Sequence, residues 1–136
     1  MRTIWKVGIG FLVLGAIGSA FKSPPKEPTP EERAIDARRA REATAVAFAK
    51  STIPKQLRDP ASAVFGKVDA HTDRKLKGLP VTVVCGSVNA KNAFGGYTGM
   101  REFVMIAETG AIEFNNERDN SKFVDLWNSL CAGKHN

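Results

Sequence analysis

The stretch Val81–Met105, VTVVCGSVNAKNAFGGYTGMREFVM, decides the fold because it holds two strand-like segments joined by a glycine-rich connection. Val81–Val88 is rich in β-branched residues and apolar on both faces, a composition typical of a strand at the centre of a sheet. Glu102–Ala107 predicts a second strand. We therefore expect a sheet built around Val81–Val88, with Asn89–Gly99 as the loop between its two strands.

Shorter strand-like segments lie on either side of this stretch. Ala63–Ala70 predicts a strand with a bulge at Gly66, and Ala111–Phe114 predicts a short last strand after a Thr-Gly turn. His71–Pro80 is polar and contains a glycine, so we expect a loop there. Together these segments predict an antiparallel sheet of three or four strands.

A long helix is predicted to precede the sheet. Thr29 is followed by a proline and then by Glu32, the pattern of a capping box with proline at the first helical position. The alanine-rich segment after them favours a helix that runs to about Ser51 or Thr52. Its first half is mostly polar, so we expect the helix to pack on the sheet only from about Ala43 onward.

A second helix is predicted near the C-terminus. The polar segment Asn115–Asn120 predicts a turn that also caps, through Asp119, the helix Ser121–Cys131. The larger apolar residues of this helix recur at the spacing of one helical face: Phe123, Leu126, Trp127, Leu130 and Cys131. Gly133 predicts its end. We therefore expect an α+β domain whose antiparallel sheet is covered by helices.

Length and composition limit the number of domains and the classes of partner. The chain has 136 residues, of which 25% are charged, and this leaves room for one modest core. The formal net charge is +6, but basic side chains are scattered among acidic ones, without an aromatic and basic platform for stacking bases. We expect no nucleic-acid partner, no cofactor and no metal site, because no motif or ligand spacing for them occurs in the sequence.

The N-terminus is predicted to direct the chain to a membrane. Met1–Lys6 carries two basic residues, and Val7–Phe21 carries no charge. One interpretation is an uncleaved anchor, since residues 4–21 are long enough to span a bilayer if Lys6 reaches the interface. The other is a signal peptide cleaved after Ala20, because small residues precede that position. Either one places the domain in the periplasm, attached to the bacterial inner membrane or released from it.

A proline-rich segment separates this N-terminus from the rest. Lys22–Pro30, KSPPKEPTP, contains four prolines, which favour a stiff and extended linker. The predicted organisation is therefore an anchor or signal peptide at residues 1–21, a linker at 22–30 and a single exported α+β domain at 31–136.

Two motifs support export through a resemblance. VCGSVNAKNAFGGYTG at Val84–Gly99 resembles a motif of small exported bacterial and prophage proteins of unknown function. Asp59–Phe65 fits the pattern DP-x-S-x-x-F that precedes this motif in those proteins. The resemblance covers roughly Leu57–Cys131. It implies an exported small domain without a known activity, and it brings no catalytic residues to this chain.

The two cysteines, Cys85 and Cys131, are predicted to form a disulfide. Cys85 lies in the central strand and Cys131 on the apolar face of the helix expected to cover it, so an oxidising compartment would join them. Two buried free thiols are the alternative for a chain that stays in the cytosol. A redox pair is a third alternative, although the CxxC spacing typical of such pairs does not occur.

The loop Asn89–Gly99 is the candidate binding site. Its glycines permit backbone angles closed to other residues, and its asparagines tolerate the left-handed region. One interpretation is a recognition loop with five contributing residues: Lys91, Asn92, Phe94, Tyr97 and Arg101. The other is a long hairpin connection whose aromatic rings fold back onto the sheet.

The sequence offers few candidates for catalysis. Its two histidines are His71, in the segment predicted to be a loop, and His135, in the tail, and neither HExxH nor GxSxG occurs. Asp69, His71 and Asp73 could share one face of an extended segment as a weak acid–base or metal site. A solvated strand end explains the same three residues more simply.

Two functional hypotheses follow from these features. The first is a non-enzymatic envelope protein, anchored or secreted, whose domain binds another envelope protein or surface component. The second is a small envelope hydrolase that uses His71 and nearby acids. We favour the first, because the densest unusual feature of the sequence is a loop without a catalytic motif.

Overall fold

The computed structural model describes residues 26–116 and 118–132. The predicted apolar helix of residues 4–21, the first residues of the linker, Gly133 and His135 lie outside this range. Within it, no helix has both the length and the apolar character needed to cross a membrane. The described chain is an α+β domain in which a long helix precedes a four-stranded antiparallel sheet and a short helical segment follows it.

Helix α1 spans Pro30–Thr52 and begins with the predicted capping box. The Thr29 hydroxyl accepts the backbone N–H of Glu32, and the Glu32 carboxylate accepts the Thr29 N–H at 2.6 Å. The hydrogen bond from the Thr29 backbone N–H, followed by one with the Thr29 side chain, favours the charged carboxylate and so lowers the pKa of Glu32. The first half of α1 is exposed to solvent and its buried residues begin at Ala45, close to the expected position.

The sheet has the strand order β1-β2-β3-β4, and every neighbouring pair is antiparallel. The strands are β1 (Val64–Leu76), β2 (Leu79–Asn89), β3 (Arg101–Ile106) and β4 (Ala111–Phe114). β2 lies inside the sheet, as its apolar residues on both faces predict. The bulge predicted at Gly66 is present as a register shift between Phe65 and Val68.

The loop predicted at His71–Pro80 is wrong, because β1 and β2 continue through that segment. The two strands meet in a turn at Lys77 and Gly78, which both have a positive φ, of 51° and 81°. Such a turn matches the twist of paired strands. The segment is polar because this end of the hairpin extends past the rest of the sheet, since the pairing of β3 with β2 stops at Val83.

Two apolar cores lie on opposite faces of the sheet. The first joins α1 to the sheet and consists of Ala45, Ala49, Ile53, Val84, Val88, Phe103 and Met105. The second joins the C-terminal helical segment to the other face and consists of Val83, Cys85, Val104, Ile106, Phe123 and Leu130. Successive residues of a strand point to opposite faces. Helices on both sides therefore explain why β2 is apolar along its whole centre.

The C-terminal helix begins as α2 (Ser121–Leu126) and continues with wider, π-type winding over Trp127–Cys131. Its apolar side chains pack in the second core, as their spacing predicts. Asp119 accepts the backbone N–H and the hydroxyl of Ser121. Asn120, the residue directly before α2, makes no side-chain capping bond. The predicted cap is therefore a local turn around Asp119.

Candidate functional site

Two adjoining features of the described chain offer groups for recognition. The first is the loop between β2 and β3, residues 90–100, and the second is a groove beside it on the sheet. Lys91 and Tyr97 form an isolated antiparallel bridge across the loop. The bridge leaves residues 92–96 as a short tip, which projects beyond the paired strands.

Hydrogen bonds fix the base of the loop. The backbone N–H of Lys91 donates to the Ser62 hydroxyl at 2.8 Å, and this hydroxyl donates to the Asp59 carbonyl at 2.8 Å. Across the loop, the Asn89 side-chain oxygen accepts the backbone N–H of Gly99 at 3.1 Å. Ser62 and Asp59 belong to the DP-x-S-x-x-F pattern, so this pattern and the glycine-rich motif meet in one structural unit.

Asn92 organises the tip. Its side-chain Oδ1 accepts the backbone N–H of Phe94 at 2.9 Å and that of Gly96 at 3.1 Å. Its own backbone N–H donates to the Gly96 carbonyl at 2.8 Å. The left-handed backbone angles fall on Gly95 and Gly99, with φ of 83° and 97°, and not on the asparagines. The asparagines instead act as side-chain acceptors that hold the turn.

The two aromatic side chains of the loop are exposed. Phe94 at the tip is 97% exposed, and Tyr97 is 51% exposed, with Lys91 Nζ 5.7 Å from its ring centre. The interpretation in which the rings fold back onto the sheet is therefore wrong for Phe94. A ring that buries no area in its own fold is available to contact another molecule.

Arg101, the fifth residue of the predicted loop site, lies apart from the tip. It starts β3 opposite Val88, and its guanidinium group lies 4.2 Å from the ring centre of Phe114. Burial lowers the pKa of Arg101 because it disfavours the charged form. The side chain covers the edge of the first core, on the face of the sheet where α1 packs.

Cys85 and Cys131 form the predicted disulfide, with an S–S distance of 2.03 Å and a Cα–Cα distance of 5.9 Å. The bond joins β2 to the last turn of the C-terminal helix. Neither thiol is free, so the alternative of two buried free thiols does not describe this structure. The disulfide also lines a groove on the face of the second core.

Two of the three residues of the weak acid–base site share one face of the sheet. Asp69 and His71 both lie on the face of the second core, beside the disulfide. A register shift after His71 interrupts the alternation of β1. The pKa of Arg38 on α1 is raised first by its hydrogen bond to Glu42 and further by the charge of Asp73. The Asp73 carboxylate also lies 3.5 Å from the guanidinium group of Arg74, whereas Asp69 and His71 line the cavity beside the disulfide.

A polar depression, termed the face groove, crosses the sheet where the C-terminal helix stops covering it. Two cavities of about 300 and 630 Å³ are both lined by Ser87 and Glu102, so they adjoin, and we describe them together as this groove. Its disulfide end is lined by Lys67, Asp69, His71 and Trp127, and its loop end by Asn115 and Arg118. The groove thus runs from the disulfide to the base of the loop.

Sequence reasoning missed the face groove. Its lining residues come from β1, β2, the start of β3, the segment after β4 and the C-terminal helix, and no local spacing connects them. The one available signal was the alternation of β2, which places Ser87 on the same face as Cys85.

Among residues 26–116 and 118–132, no group of three His, Cys, Asp or Glu side chains could hold a metal ion.

Comparisons with known proteins add no assignment to the loop or the groove. No protein-family model matches the chain, and no curated protein or solved structure matches it either. The functional interpretation therefore rests on the geometry of these two features and on the sequence.

Proposed function

We propose that the protein is a non-enzymatic envelope protein whose exported domain binds another envelope component through the loop between β2 and β3. Phe94 carries this proposal, because its side chain is almost fully exposed at the tip of a hydrogen-bonded loop. The apolar N-terminus, the disulfide and the resemblance to exported bacterial and prophage proteins support export. The domain then lies in the periplasm, anchored to the inner membrane through residues 4–21 or released after Ala20.

Phe94 has the properties of a binding anchor. Moving a phenylalanine side chain from water into an apolar environment is worth about 1.5–3 kcal/mol. Asn92 already holds the backbone on both sides of the ring, so the tip has little conformational freedom left to lose on binding. Lys91 and Tyr97 lie next to the tip and supply a cation and a phenol for polar contacts at the rim of an interface.

The loop points away from the end of the domain at which α1 begins. Ile53, just after α1, packs in the first core, and the following turn carries Ser62, which contacts the loop base. Earlier in α1, Ala40 lines a surface cavity together with Thr82 and Ala107. Those two residues lie toward the ends of β2 and β3 that are farther from the loop. If residues 4–21 anchor the chain, this orientation presents Phe94 to a component other than the anchoring bilayer.

The hydrolase hypothesis has less support. Its central residue, His71, lies beside Asp69 in the face groove, and Asp73 follows the register shift that comes after His71 in β1. Phe94, the most exposed apolar residue of the loop, does not line that groove, so these candidate acid–base residues do not account for its exposure. We therefore propose the binding role and treat hydrolysis as the alternative.

Site-specific photocrosslinking in the source bacterium tests the proposal. The full chain would carry a photoreactive phenylalanine analogue at position 94, at the tip of the loop. The matched control carries the analogue at position 79, because Leu79 is also an exposed apolar residue, 68% accessible, at the other end of β2. We expect irradiation to produce a discrete adduct from position 94 and none from position 79.

The outcome at these two positions decides the proposal. A discrete adduct from position 94 that is lost when Tyr97 and Lys91 are both replaced by alanine supports a shaped interface. Equal adducts from both positions, or none from position 94 at native expression, would contradict a recognition role for the loop. A phenotype abolished by His71→Ala and untouched by Phe94→Ala would favour the hydrolase instead.

A further inference from the structure

The face groove is a second site, separate from the tip of the loop. The C-terminal helix covers the central part of its sheet face, where Val104 and Ile106 are buried with Phe123. Farther along the same face, Ser87 on β2 pairs with Glu102 on β3, and the cavity that they line includes no residue of the described helices. The uncovered part of the face therefore forms a trough whose floor is the sheet itself.

The groove presents both acceptors and donors of hydrogen bonds. Asp69 and Glu102 contribute carboxylates, and Ser87 contributes a hydroxyl that can act either way. Lys67 bonds Asp69 at 2.9 Å, and the Asn115 side chain donates to Glu102 at 3.0 Å. These pairs hold the carboxylates in place while leaving each with further acceptor capacity, because an ionised carboxylate has about four lone-pair sites.

An aromatic wall closes one end of the groove. The indole of Trp127 lines the cavity beside the disulfide, and its ring centre lies 5.4 Å from that of Phe123. Because packing against Phe123 holds the indole, it can offer a fixed apolar surface next to the polar groups. Flat apolar surface beside paired donors and acceptors matches a sugar ring, which has an apolar face and a rim of hydroxyls.

We propose that the face groove binds a β-1,4-linked oligosaccharide. Such a chain is extended and ribbon-like, and it can lie along a trough across a sheet. Its hydroxyls donate to Asp69 and Glu102 and accept from Ser87, and one ring lies against Trp127. The combined volume of the two cavities falls in the range of about 300–1,000 Å³ typical of small-molecule sites.

Two other ligand classes fit the groove less well. An extended peptide binds a sheet through its backbone at a free edge. The floor of this groove is instead formed by the two inner strands of the sheet, where Ser87 on β2 pairs with Glu102 on β3. Arg101 and Arg118 line the loop end of the groove and could bind phosphate oxygens, but the Glu102 carboxylate faces the same space. At the other end, Lys67 is paired with Asp69.

Tryptophan fluorescence of the full chain tests this proposal. The sequence has two tryptophans, so Trp5→Phe leaves Trp127 as the sole indole and makes it the reporter. The oxidised protein, in detergent micelles, would be titrated with the tetramers of β-1,4-linked N-acetylglucosamine and β-1,4-linked glucose. Maltotetraose, whose α-1,4 linkages curve the chain, serves as the control sugar. We expect a saturable change in emission with at least one β-linked tetramer and none with maltotetraose.

Substitutions that keep the shape of the groove separate binding from folding. Glu102→Gln and Asp69→Asn each remove a charged acceptor, and we expect each to weaken binding about tenfold. The matched control is Asp36→Asn, on the exposed first half of α1, where the carboxylate lies 3.9 Å from Arg39. This control should leave the affinity unchanged.

The result distinguishes this proposal from the role of the loop. Phe94→Ala should leave the sugar titration unchanged, because Phe94 does not line the groove. No saturable change with either β-linked tetramer up to about 10 mM would overturn the proposal. Binding that survives both Glu102→Gln and Asp69→Asn at full strength would overturn it as well, and so would saturation by a lysine oligopeptide in place of the sugars.

Discussion

Phe94 and Phe103 lie nine residues apart, one on the loop and one on β3, and their environments are opposite. Phe103 is fully buried, and its ring centre lies 6.4 Å from those of both Phe65 and Phe114. Phe94 is almost entirely exposed, on a backbone held by Asn92. The same residue type therefore stabilises the fold in one place and is displayed by it in the other.

The glycines of the two regions show the same division. On β2, Gly86 permits close packing, because an added Cβ would lie 2.8 Å from the Lys67 carbonyl oxygen and 2.9 Å from the Phe103 ring. In the loop, Gly95 has a φ of 83° with open space around it. One glycine makes room for a neighbour and the other allows a backbone angle. The motif at Val84–Gly99 thus combines residues that build the core with residues that shape a display loop.

The largest effect is expected at the buried member of the aromatic pair. Phe103→Ala removes a ring from the first core and leaves a cavity between two other rings, so it should lower the free energy of unfolding by about 3–5 kcal/mol. Urea unfolding of the oxidised chain measures this change. A loss below about 1 kcal/mol would mean that the sheet does not depend on this cluster. It would contradict the claim that Phe103 stabilises the fold.

The disulfide should contribute nearly as much to the free energy of unfolding as the buried ring of Phe103. It closes a separation of 46 residues between β2 and the C-terminal helix. In the chain-entropy description its removal should cost about 2–4 kcal/mol. Cys85→Ser and Cys131→Ser should each show this loss, and the double variant should add little, because all three lack the same bond. Losses that simply add would contradict a bridge between these two cysteines.

Two glycine substitutions separate the strand from the loop at a smaller scale. Gly86→Ala forces a Cβ against a backbone carbonyl and a buried ring, and overpacking of this kind should cost about 1–3 kcal/mol. Gly96→Ala is the matched control, since its Cβ would meet only the Asn92 side chain, at 3.8 Å. We expect a change within about 0.5 kcal/mol there. Equal losses at both positions would remove the distinction between the two regions.

Asn92→Ala should loosen the loop without opening the sheet. The change takes away the acceptor of two exposed backbone N–H groups, which water then satisfies, so the loss should be about 0.5–1.5 kcal/mol. Amide hydrogen exchange measures where it falls. The Gly96 amide should exchange faster while the Val104 amide on β3 keeps its protection. Faster exchange at both amides would show that the loop and the sheet open together.

Elements specified by nearby residues were predictable from the sequence. The capping box of Thr29 and Glu32 predicted the start of α1, and the apolar spacing of the C-terminal helix predicted the face it buries. The turn at Lys77 and Gly78 was missed, because the strands leading to it are polar. These strand ends are polar because this end of the hairpin extends past β3. How far it extends depends on the pairing of distant strands, which local sequence does not show.

The candidate sites were predictable to different degrees. The loop was found because glycine, asparagine and aromatic residues are adjacent in the sequence, and the disulfide followed from two predicted elements that had to meet. The sequence did not predict whether Phe94 is exposed, because its exposure depends on how Asn92 holds the backbone of the tip. The face groove was beyond sequence reasoning, since Asp69, Ser87 and Glu102 come together only through the register of three strands.

The central claim is that the fold displays the tip of the loop and gains almost no stability from it. The substitution with the smallest expected effect tests this claim most directly. Urea unfolding of Phe94→Ala should show a change within about 0.5 kcal/mol, because the ring is 97% exposed and buries almost nothing. Measured beside Phe103→Ala, it should differ by several kcal/mol. A loss of about 3–5 kcal/mol for Phe94→Ala, the cost of removing a buried aromatic ring, would contradict the account.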